Sequence, residues 1–115
     1  MLILGTANQT KLLGQPARAP LYEFAPAIDD FLKRHLFGDI FVRDNLDWQS
    51  RELATVGALA AMPGVESQLQ AHIGFSMNVG LTAAQMRQVT DVLAAAGHPE
   101  AAARSRTAFA RQPAR

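Results

Sequence analysis

The sequence predicts an all-α fold, and three observations carry the prediction. Apolar residues return at intervals of three and four from Pro26 almost to the end of the chain. Glycines and prolines cut that pattern into stretches of helix length. No run alternates apolar and polar side chains as a half-buried strand would.

The elements follow in order. Residues 1–20 contain Gly5, Gly14, Pro16 and Pro20 without sustained periodicity, which predicts an extended N-terminal arm ahead of a helical domain over 21–115. From Pro26, Ile28, Phe31, Leu32 and Leu36 share a helix face. Asp29–Lys33 and Asp30–Arg34 form i,i+4 pairs on the other side, and Gly38 is expected to end this helix. The next helix opens at "NLDWQSREL", with Asp47 as N-cap and Glu52 favouring the positive end of the dipole. Leu53–Met62 carries no charge, so burial on all faces is expected. Pro63-Gly64 breaks this helix so briefly that its successor, about 65–78, must return antiparallel. Gly80 supplies a left-handed stop. Thr82 and Gln85 then form a capping box for a helix whose inner face is Met86, Val89, Val92 and Leu93. Gly97 ends it. Pro99 at a first helical position and Glu100 in the first turn start a last helix, reaching about Arg111.

The totals narrow the possible functions. A chain of 115 residues is one domain in size and long enough for a core without staples. Apolar residues make up 49% and charged residues 18%, more apolar surface than a small exterior conceals, so self-association is expected. Net charge is +1 with no basic stripe before the tail "RSRTAFARQPAR", which argues against nucleic acid as a partner. The absence of cysteine removes disulfides, thiolate metal sites and thiol redox chemistry. "MLILG" is too short for a secretory core and no stretch has the length of a membrane span, so no membrane partner and a cytoplasmic location are expected.

Among candidate site residues, His72 stands on the stripe Val65, Leu69, His72, Ser76, Val79. Desolvation or a partner carboxylate would tune such a histidine for proton transfer near neutral pH, whereas a plain core histidine would be satisfied by a backbone carbonyl. Glu52 shares a face with Trp48, Thr55, Val56 and Leu59. On antiparallel helices it would reach His72, forming an acid/base unit; otherwise it serves the helix dipole. Arg51 and Arg43 are candidates for gripping a substrate carboxylate, or are surface residues. His35 suits a helix end and His98 a cap. Three histidines without cooperative spacing predict no metal site, and no glycine-rich loop follows a strand to cradle phosphate.

The stretch "HLFGDIFVRDNLDWQSRELATVGALAAMPGVESQLQAHIGFSMNVGLTAAQMRQV" resembles the carboxymuconolactone decarboxylase family over about residues 24–97. "FGDIF", "RELATVGALAA" and the histidine followed by "NVGLT" carry the resemblance. It implies an AhpD-like bundle of about five to six helices around a central antiparallel pair, assembled as a homotrimer or homohexamer. It also implies a cofactor-free lyase acting on a small anionic molecule, 4-carboxymuconolactone in the family's decarboxylase branch of aromatic-acid breakdown. His72 would then donate the proton, Glu52 would partner it, and Arg51 or Arg43 would anchor the carboxylate. The alternative reading is a non-catalytic oligomeric scaffold or small-molecule binding protein. The family's peroxiredoxin activity needs a Cys-x-x-Cys pair where this chain has Val65 and Gln68, so thiol peroxidase chemistry is not expected here.

Overall fold

The computed structural model describes residues 2–114 and contains seven helices, with no strand among the described residues. They are α1 (Leu2–Leu13), α2 (Pro20–Phe24), α3 (Pro26–Phe31), α4 (Trp48–Ala60), α5 (Glu66–Asn78), α6 (Ala83–Ala95) and α7 (Pro99–Ala110). The chain divides into two compact units, the first ending at Trp48 and the second starting at Gln49. No helix of the described residues is long and apolar enough to cross a membrane.

In the first unit the expected extended arm is largely a helix. Residues 2–13 coil as α1, and extended backbone is confined to the residues between α1 and α2. The buried face of α1 is Gly5, Gln9 and Leu12, spaced by four and three. A stripe built from a glycine and an amide has little hydrophobic contrast, which hides the period. Gly38 does not terminate a helix either. Beyond α3 the chain widens into a π-helical stretch, Leu32–Ile40, that runs through Gly38. α1 lies close along this stretch, where the Asn8 amide donates to the Phe37 carbonyl at 2.7 Å. Gly38 is buried within this stretch rather than ending it. Trp48 closes the unit, donating its indole N–H to the Phe41 carbonyl at 3.0 Å and packing edge-on against the Phe41 ring.

The second unit holds the helix pair expected from sequence. Gln49 Nε2 donates to the Val79 carbonyl at 2.7 Å, while three residues further along α4 Glu52 meets His72 in α5. Partner numbers fall as α4 advances, so the two helices are antiparallel. Gly64, at φ 86°, makes the reversal. Glu66 accepts the Gly64 N–H at 3.1 Å, and this bond first, then its own amide, holds its carboxyl below the usual range. The core joins Val56 and Ala60 of α4, Leu69 and Ile73 of α5, Met86 of α6, and Ala101 and Ala108 of α7.

Within one chain α4 is not buried on all faces. Glu52, Val56 and Ala60 are enclosed, but Leu53, Ala54 and Ala58 are exposed. The inner face of α6 also differs from expectation. Val92 is 65% exposed and Thr90 takes an enclosed place. His98 occupies the N-cap of α7 without a side-chain cap bond, and His35 pairs with Asp39 at 3.5 Å inside the π-helical stretch. The capping box of α6 is complete: Thr82 N–H donates to Gln85 Oε1 at 2.9 Å and Gln85 N–H to Thr82 Oγ1 at 3.1 Å. Thr82→Ala is expected to lower stability by about 1 kcal/mol in urea unfolding. An unchanged midpoint would mean that the cap contributes nothing.

Candidate active site

α4 and α5 bring a carboxylate and an imidazole together by register alone. Glu52 stands on the face of α4 that also carries Val56 and Ala60 inward, and His72 stands one turn before Ser76 on α5. His72 Nδ1 lies 2.9 Å from Glu52 Oε1. Glu52 is 2% exposed, whereas the His72 side chain keeps 29% of its surface. The carboxylate is closed off, and the pair opens outward through the imidazole.

A buried carboxylate is costly unless it is paired and hydrogen-bonded. With Glu52 as a carboxylate, which can only accept, the donor in this bond is His72 Nδ1–H. In that arrangement Nε2 is the nitrogen that can bind or release a proton. Glu52 lies beyond the first turn of α4, and its carboxylate contacts the imidazole.

Two neighbours hold the histidine. Phe75, one turn on, packs its ring at 68° to the imidazole with centroids 4.9 Å apart. Ser76 Oγ donates to the His72 carbonyl at 2.8 Å, so its hydroxyl is spent on the helix backbone. Sequence reasoning passed over Phe75, although its i,i+3 spacing from His72 was a usable signal.

Of the candidate residues, Glu52 and His72 are brought together. Arg51 is half-buried in α4, where its carbonyl accepts the Thr55 hydroxyl at 2.9 Å. Arg43 is exposed in the first unit, just after the π-helical stretch. Among the described residues no three of His, Asp or Glu gather as a metal site would require.

The pair can hold a proton at Nε2 and stabilise the imidazolium that results from taking one up. The model of the carboxymuconolactone decarboxylase family matches residues 26–111, which include both members of the pair. No curated protein matches the chain.

Proposed function

The chain belongs to the carboxymuconolactone decarboxylase family, and on that premise we propose that it is a cofactor-free lyase for a small carboxylated lactone such as 4-carboxymuconolactone. The observation that carries this reading is the 2.9 Å contact between an enclosed carboxylate and a part-exposed imidazole. Decarboxylation breaks the bond between the ring carbon and the leaving carboxylate. The electron pair moves through the ring double bond toward the lactone carbonyl, and carbon dioxide departs. The carbon beside that carbonyl then takes a proton, which His72 Nε2 supplies while Glu52 holds Nδ1. A proton from water later restores the imidazolium.

The substrate keeps a second carboxylate, and an arginine is its natural anchor. We assign this role to Arg51, with Arg43 as the other candidate. Arg51→Gln is expected to raise KM by about 10- to 100-fold with a smaller effect on kcat, the value of one charge-assisted bond. The same result with Arg43→Gln and none with Arg51→Gln would transfer the role.

Turnover of 4-carboxymuconolactone by the folded protein, followed as carbon dioxide release, tests the whole reading. No turnover would remove the decarboxylase assignment. It would favour a second reading, an oligomeric scaffold or binding protein. That reading draws on the exposed apolar side chains Ile3, Leu4, Leu53 and Val92. Thiol peroxidase chemistry has no nucleophile in this chain, which contains no cysteine.

A further inference from the structure

The groove between α6 and α7 has no part in the proton chemistry of His72. We propose that it is a binding site for an aromatic carboxylate that also carries a hydroxyl group. Its volume is about 580 Å³, within the range of small-molecule sites. Arg87, Thr90 and Asp91 of α6 line it together with Arg106 and Phe109 of α7.

Three features give the site its chemistry. The first is charge. Two guanidinium groups face one carboxylate, leaving the groove net positive. Neither the Arg106 nor the Asp91 side chain, both exposed, has a hydrogen bond or ion pair among the described residues. The second is a flat apolar wall. The Arg87 guanidinium stands 5.6 Å from the centre of the Phe109 ring, which pre-orients the cation and extends the planar surface. The third is Thr90. It lines the groove, and its hydroxyl has no hydrogen-bond partner among the described residues. A threonine inside a helix ordinarily returns its hydroxyl to a carbonyl of the preceding turn, and this one is left open to the groove. A ligand oxygen would satisfy it.

These features assign the parts of the ligand. Its ring lies on Phe109, its carboxylate is held by Arg106 and Arg87, and its hydroxyl donates to Asp91. This assignment stands independently of the lyase reading, because none of these residues touches the Glu52–His72 pair.

Titration of the full chain with 6-hydroxy-2-naphthoate, followed by amide chemical shifts, tests the site. Saturable shifts centred on Thr90 and Phe109 are expected. Arg106→Gln and replacement of the carboxylate by a neutral carboxamide are each expected to weaken binding about tenfold or more. Asp91→Asn should erase the preference for the hydroxylated acid over 2-naphthoate, and His72→Asn should leave binding unchanged. Absence of saturation into the millimolar range would overturn the proposal, as would equal binding of the carboxamide. Shifts centred on His72 would do the same, by assigning the acid to the other site.

Discussion

His72→Asn is expected to lower decarboxylation by about 10²- to 10⁴-fold, the usual worth of a positioned general acid. Asparagine is the informative replacement because its amide nitrogen can stand near the place of Nδ1 and still donate to Glu52. The buried carboxylate then keeps a hydrogen bond, and stability should stay within about 1 kcal/mol of wild type. What disappears is Nε2, the nitrogen that exchanges the proton. His72→Ala removes both functions. It should be as inactive and also less stable by about 3 kcal/mol, unless Glu52 takes up a proton to escape isolation. Glu52→Gln tests the other half of the pair. It keeps the volume but removes the charge that favours the imidazolium, and it loosens the tautomer. A fall in kcat of about 10²-fold, with KM nearly unchanged, is expected. Turnover by His72→Asn equal to wild type would remove the histidine from the mechanism. Full activity in Glu52→Gln with loss in His72→Asn would leave the histidine working without its partner.

Gly5→Ala is expected to undock α1 within the first unit. A Cβ on Gly5 would overlap the Lys33 carbonyl, and it would stand 3.1 Å from the Gly38 amide nitrogen. Both obstacles are backbone, so no rotamer change can relieve them. Overpacking against side chains typically costs about 1–3 kcal/mol. Backbone against backbone should reach at least the upper end of that range. The better helix propensity of alanine returns only about 1 kcal/mol, so the balance is clearly destabilising. Faster amide exchange across residues 2–13 and 32–40 would report the separation, while α1 keeps its helical preference. Wild-type protection in Gly5→Ala would mean that α1 does not approach the π-helical stretch as closely as described.

The family match adds a constraint that neither experiment supplies. It begins at residue 26 and so leaves out α1 and α2. Gly5→Ala therefore probes an element outside the family-matched segment, while His72→Asn probes the centre of it. Activity retained by a chain with a loosened α1 would separate the role proposed for α4 and α5 from the packing of the N-terminal helix.

Local chemistry was legible in the sequence of this protein. Pro63-Gly64, Gly80, the Thr82–Gln85 box and the Gly97–Pro99 boundary mark helix ends because turns and caps involve only neighbouring residues. The Glu52–His72 pairing was legible as one of two readings, since a short reversal forces antiparallel helices and helical period sets which faces meet. Tertiary structure alone decided the rest. α1 was unreadable because its buried stripe is Gly5, Gln9 and Leu12, where fit to a backbone replaces hydrophobicity. Gly38, read as a stop, lies buried within a π-helical stretch, and the uncharged run of α4 kept exposed faces. The groove of Arg87, Thr90, Arg106 and Phe109 lies between consecutive helices, and which of their side chains line it depends on how those helices pack. Whether a side chain is enclosed depends on what packs over it, and that is a property of the assembled helices rather than of any stretch of residues.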